Sequence, residues 1–316
     1  MPDLARLLKP AVLIRIVLTY LGLMALFATM TRTQDDGWDN WLKVTLGLTA
    51  LMLVATGGIV LALSVAGGGG LLGWRAGRAR AAGNPAAALA GYNAALTRNP
   101  NLAEALVGRA ELQIAGGQPA PARADLDRAI AVTPHVSNFP DPILYRAYLE
   151  RGRLREAAGD GAGAISDWTQ TMRITAGAPD PYLLRGRALL EAGDWLTGRS
   201  DLTQAVSLLG LSLNRTEDKA AQAALLNMRG LAFNLLNDPQ RALADLEQSL
   251  TIQPAAWVTH YNLGATYLKL GHPDQALIAL RQALQLDRPA AQAAARSSRA
   301  YADLREEPAF QALIGA

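Results

Sequence analysis

Arginine and aspartate recur at one fixed spacing in this chain. Arg109 and Asp125, Arg151 and Asp167, Arg185 and Asp201, and Arg229 and Asp245 each stand sixteen residues apart. A guanidinium and a carboxylate brought together can form a working site or a structural clasp. A catalytic constellation usually occurs once per domain, whereas four copies in similar surroundings indicate architecture. Arg151-Gly152, Arg185-Gly186 and Arg229-Gly230 open three copies, and Gly159-Asp160, Gly193-Asp194 and Asn237-Asp238 follow seven or eight residues later. One further copy of this background carries Leu263 and Ala279 at the two places, so both members of the pair are lost together. Joint loss is what a mutual contact predicts. The pairs are therefore expected to be partly buried, charge-assisted hydrogen bonds that hold the scaffold.

Other reactive patterns are sparse. The 316 residues contain no cysteine, which excludes disulfides, thiolate nucleophiles and thiolate-bound zinc. The three histidines, His135, His260 and His272, are far apart, and no HExxH occurs. The glycines from Gly67 to Gly70 lack the Lys-Ser/Thr of a phosphate loop. Trp74, Trp168, Trp195 and Trp257 fall at positions expected to fill a core rather than an aromatic cage. A net charge of +3 is too small for a polyanion-binding surface. These observations predict no enzyme activity, no metal or other cofactor, no small-molecule substrate and no nucleic-acid partner.

The elements that position the pairs repeat with a period of 34. Units align at 69–102, 103–136, 145–178, 179–212, 223–256 and 257–290, with insertions of eight and ten residues between units and none inside them. Small residues recur at unit position 8 (Gly152, Gly186, Gly230, Gly264), position 20 (Ala122, Ala164, Ala242, Ala276) and position 27 (Ala95, Ala129, Ala205, Ala283). Such residues let two antiparallel helices approach closely. Between them, "EAGD", "LNDP" and "KLGHP" stop one helix and start the next. The pattern resembles the tetratricopeptide repeat, a helix-turn-helix unit of this length. Phe233 and Tyr267 match the family's large residue at position 11, and Pro100, Pro134 and Pro254 match its closing proline. Arg155 and Gly198 depart from its aromatic and alanine positions, and Gly210 and Arg288 replace the proline.

The first seventy residues have a different composition. From Ile16 to Thr31, and from Val44 to Leu72, there is no charged residue. Runs of this length are long enough to cross a bilayer core of about 30 Å as helix. They predict a membrane hairpin over residues 1–72, with transmembrane helices at about 11–31 and 44–68. Arg6 and Lys9 before it and Arg75, Arg78 and Arg80 after it outweigh the loop's Arg32 and Lys43. The positive-inside rule then makes this an integral protein of the cell membrane, its repeats in the cytoplasm or, alternatively, on the extracytoplasmic side.

The expected fold is thus all-α. A transmembrane hairpin is followed by a solenoid of about six units over 73–290 and a C-terminal capping helix over 291–316, in which Tyr301, Leu304, Phe310 and Leu313 cover the last apolar edge. The resemblance implies a right-handed superhelix with a concave groove lined by unit positions 2, 5, 6, 9, 12 and 13. There the chain has Arg146, Arg153, Arg187, Asn227, Asn234, Tyr261, Asn262 and Lys269. This reads as a mildly basic lining, suited to a protein segment with acidic groups. The expected function is that of a membrane-anchored interaction scaffold for an unidentified protein partner. The alternative is a structural or assembly subunit of a larger membrane complex, held mainly through its hairpin, where Gly47, Gly57 and Gly58 would permit close helix packing.

Overall fold

The computed structural model describes residues 69–134 and 141–315. Their elements are helices and one 3-10 turn, with no strand among the described residues. The helices follow as pairs: α1 (Gly69–Ala81) with α2 (Pro85–Arg98), α3 (Ala103–Ala115) with α4 (Pro119–Val132), and α5 (Pro142–Ala157) with α6 (Gly161–Ile174). Then come α7 (Pro179–Glu191) with α8 (Trp195–Leu213), α9 (Lys219–Leu235) with α10 (Pro239–Ile252), and α11 (Trp257–Lys269) with α12 (Pro273–Leu286). The chain closes with α13 (Arg288–Ser297), a 3-10 turn (Arg299–Leu304) and α14 (Pro308–Ile314).

Local chemistry sets these boundaries. Second helices start where a short polar side chain accepts a hydrogen bond from the first turn, as Asp160 does from Gly163 N, Asp194 from Thr197 N and Asp238 from Arg241 N. Proline at the first turn of α2, α4, α10 and α12 removes a donor that would have no helical partner. First helices end on a left-handed residue: Gly193 at φ 87° closes α7, and Asn237 at φ 64° does the same for α9. Asp194 N then reaches back to Leu189 O, and Asp238 N to Phe233 O, both at 2.9 Å.

Packing follows the small-residue pattern. Ala88, Ala122, Ala164, Ala242 and Ala276 are fully enclosed where the two helices of a unit meet. One turn on, the second helix sends a large apolar side chain inward: Leu126, Trp168, Leu202, Leu246 and Leu280, all fully buried. Each such leucine contributes about 1.5–3 kcal/mol on leaving water. Consecutive pairs pack on one another, and a series of apolar clusters, each bridging neighbouring units, follows the length of an all-α repeat solenoid. Beyond α12, Tyr301, Leu304, Phe310 and Ile314 close over Leu280 and Leu284.

Among the described residues no helix is long and apolar enough to cross a membrane. This overturns the expectation of an integral cell-membrane protein with two spans. The longest described helix, α8, has 19 residues but carries Arg199 and Asp201 and is apolar mainly on the stripe that faces its neighbours. The apolar runs at about 11–31 and 44–68 lie outside the described residues.

Candidate functional site

The four sequence-matched pairs are four forked ion pairs. Arg109 donates through Nε and Nη2 to the two oxygens of Asp125, both at 2.7 Å, and Arg229 does the same to Asp245, also at 2.7 Å. Arg151 reaches Asp167 at 2.9 and 2.6 Å, and Arg185 reaches Asp201 at 2.7 and 2.9 Å. All four aspartates are buried. The carboxylate hydrogen bonds hold Arg109, Arg185 and Arg229 above the ordinary guanidinium range against the opposing effect of burial. For Arg151 burial is the largest single influence and lowers its pKa, yet the bonds from Asp167 and Asp127 prevail and raise it. With both oxygens of every carboxylate occupied by a charged donor, no base or nucleophile is left free. The pairs clasp the two helices of a unit.

The third guanidinium nitrogen extends the clasp to the preceding unit, which the sequence reading missed. Arg109 Nη1 donates to Asn93 Oδ1 at 2.9 Å, Arg151 Nη1 to Asp127 Oδ1 at 2.8 Å, and Arg185 Nη1 to Thr169 Oγ1 at 3.0 Å. All three acceptors fall at unit position 25, so a short oxygen-bearing side chain at that register was the available signal. Arg155, which departs from the aromatic at position 11, also has a use: its Nη1 lies 2.9 Å from Asp167 Oδ2.

Removing one clasp member should be costly and removing both mild. Arg185→Leu leaves buried Asp201 charged and unpaired, an expected loss of about 3 kcal/mol, and adding Asp201→Ala should restore much of it by imitating Leu263 and Ala279. Urea denaturation of both variants measures this. A single variant as stable as the double would show that Asp201 needs no partner.

The groove is defined by which helices meet across units. α1 touches α3, α3 touches α5, α7 touches α9 and α9 touches α11, while no two second helices share an interface of that kind among the described residues. First helices therefore crowd together on the inner side of the curve. On the N-terminal half, Arg146 donates to Glu111 at 2.8 and 2.7 Å and lies 3.1 Å from Glu104. Arg153 binds Glu150 at 2.8 Å and stands 3.8 Å from Asp180. Arg187 binds Glu156 at 2.5 Å, and Arg80 also binds Glu111. These acids occupy the same six unit positions as the arginines. The mildly basic lining read from the sequence is thereby corrected: carboxylates of the same or adjoining units neutralise its arginines.

The C-terminal half is mostly uncharged. Asn262 Nδ2 donates to Asn227 Oδ1 at 2.9 Å, Asn234 Nδ2 to Thr266 Oγ1 at 2.7 Å, and Lys269 Nζ to the Asn234 carbonyl at 2.8 Å. Asn234 and Asn262 are only 4% and 5% exposed, so they brace α9 against α11. Lys269 is exposed, and Asn227 is half-buried. Burial lowers the Lys269 pKa. Tyr261 packs 5.2 Å from the Tyr301 ring, which itself lies 6.0 Å from Phe310, and this aromatic run shuts the groove's end.

The tryptophans divide differently from expectation. Trp168 is fully buried, whereas Trp195 is 64% exposed and Trp74 also faces solvent. Among the described residues no group of three or more His, Asp or Glu could hold a metal ion.

The comparisons agree with this architecture. The family model for the tetratricopeptide repeat matches residues 257–288, the last helix pair before the closing segment. The chain is 26% identical over 243 residues to DnaJ homolog subfamily C member 3 of Rattus norvegicus, covering 74% of this chain and 45% of that protein. The Mus musculus protein of the same name is 27% identical over 215 residues, covering 66% and 40%. The chain thus spans less than half the length of these relatives. Among solved structures, the APC/C hetero-tetramer Cut9-Hcn1 is similar with a TM-score of 0.54 at 16% identity, over 91% of this chain and 51% of that one. The tetratricopeptide-repeat assignment is supported by the family match and by this likeness of fold.

Proposed function

We propose that the chain is a protein-interaction scaffold that binds a segment of a partner protein along its concave side. The observation that carries this reading is the lining itself. Side chains on successive first helices are already held by cross-unit hydrogen bonds, so little rotamer entropy remains to be lost on binding. Pre-ordered donors and acceptors of both signs suit a segment of mixed charge at the N-terminal half and a neutral polar one over Asn227 and Lys269. A repeat stack of this kind is an interaction surface rather than a catalytic one, and the saturated Arg–Asp clasps fit that role.

The test uses the full chain. A photo-crosslinking residue at position 227 should trap a partner segment, and one at outer-face position 247 should not. Purified, that partner should bind the triple variant Arg153→Ala, Asn227→Ala, Lys269→Ala at least tenfold more weakly. Thermal stability should fall only modestly: Arg153 and Lys269 are exposed, where substitutions typically shift it by about 0.5 kcal/mol each, and the half-buried Asn227 gives up one hydrogen bond to Asn262, a loss of about 1 kcal/mol. Undiminished affinity would remove the groove from consideration.

A further inference from the structure

Charge is not spread evenly along the concave side, and its distribution deepens the proposed role of the groove, on which this inference rests. At the N-terminal end the signs balance, with Arg80 and Arg146 standing against Glu111 and Glu104. Between α5 and α7 they do not. Arg153 alone serves two carboxylates, Glu150 at 2.8 Å and Asp180 at 3.8 Å. Arg187 is bound by Glu156, and Glu191 acts on the same spot: burial and the charge of Glu191 hold the Glu156 carboxyl above its ordinary range against the opposing effect of Arg187. Each of these two clusters therefore has one guanidinium for two carboxylates.

Asp180 and Glu191 have room for a further partner. Asp180 keeps 34% of its side-chain surface and, at 3.8 Å, lies beyond hydrogen-bond reach of Arg153. Glu191 is exposed and makes no ion pair among the described residues. The hydroxyl of Tyr145, beside Asp180, registers the local field: burial pushes its pKa up to about 12, and Asp180 and Glu150 add to the rise while Arg153 opposes it. Asp180 and Glu191 stand at unit positions 2 and 13 of the groove lining, near the two ends of α7. Their separation of eleven residues is close to three helical turns, so they share one face about 16 Å apart.

We propose that over α5 and α7 the groove selects a basic segment of its partner, with lysine or arginine side chains pairing to Asp180 and Glu191. Arg153 and Arg187 keep Glu150 and Glu156, so the incoming cations meet carboxylates that lack a full partner and displace no existing bond. In an extended segment two cations four residues apart point the same way about 13 Å from one another, and their long flexible stems cover the remaining span. An acidic segment would set like charges against each other there, and a neutral one would leave the excess uncompensated.

The full chain and two fluorescein-labelled peptides of about 14 residues test this. Both are built of glycine and serine, one with lysine at every fourth position and the other with glutamate. Fluorescence anisotropy at low salt, where charge pairs are least screened, should show the lysine peptide binding at least tenfold more tightly, although the chain's net charge of +3 works against it. Asp180→Asn together with Glu191→Gln should abolish that preference, and Glu191→Gln alone, at an exposed helix end, should remove part of it. Glu247→Gln together with Asp274→Asn takes the same charge from exposed positions on the second helices α10 and α12 and should leave the preference intact. No preference for lysine in the parent overturns the proposal, and so do equal losses in the two double variants, which would mean attraction to net charge alone. A partner segment still trapped from position 227 under either result leaves the concave reading standing, whereas failure to trap one there removes the groove itself.

Discussion

Asp167→Ala should lower the stability of the repeat stack by about 4–5 kcal/mol, the upper end of what breaking a buried ion pair costs. Asp167 is the most enclosed of the four clasp carboxylates, at 1% exposure, and it alone is ion-paired with two arginines, Arg151 and Arg155. Its removal takes from both guanidiniums their shared buried carboxylate between α5 and α6. Arg151 keeps its bond to Asp127, but Arg155, whose buried Nε has no hydrogen-bond partner, would be left with the Gly163 carbonyl at 3.2 Å and the more distant Asp160 carboxylate at 3.8 Å. Asp167→Asn keeps the shape and loses the charge, so it should fall between the parent and the alanine variant. Urea midpoints with unchanged slope would register this as a stability effect. A loss below about 1 kcal/mol for Asp167→Ala would mean that water reaches both arginines and that the clasp contributes as little as a surface pair.

Gly152→Ala is expected to cost about 3 kcal/mol through overpacking, although it adds a single methyl group. A Cβ at residue 152 would stand 2.4 Å from Trp168 Nε1 and 2.9 Å from Cδ1 and Cε2. No real contact is that short, so the indole or the helix must move. The indole has little freedom, being fully buried with its Nε1 directed at the Leu149 carbonyl, 3.4 Å away. Gly70→Ala is the control: nothing lies within 4 Å of its added methyl, and alanine favours the helix. A double-mutant cycle with Trp168→Leu separates crowding from any backbone effect. In that background Gly152→Ala should regain most of its loss; an equal loss in both backgrounds would place the cost elsewhere.

What the chain determines by itself is whatever closes within one hairpin. Apolar periodicity, the Gly or Asn stop and the Asp or Pro start specify two antiparallel helices. Once those exist, residues sixteen apart face each other at a fixed height, so a bond such as Arg185 to Asp201 can be read from spacing alone. The contacts between units are different in kind. Arg146 meets Glu111 across 35 residues, Arg187 meets Glu156 across 31, and Arg151 meets Asp127 across 24. Those separations vary with the insertions and depend on how far each unit rotates on its neighbour. The tertiary structure therefore decided that the groove arginines are neutralised, although the acids stood at the same six unit positions all along. It also separated Trp168 from Trp195. Both lie on second helices, but one packs between its own first helix and the next unit and the other faces solvent. Periodicity within a hairpin marks which face of a helix is apolar. Only the stacking of units determines how much of that face a neighbour covers, because each hairpin closes part of its core between its own two helices and completes it only against the next unit.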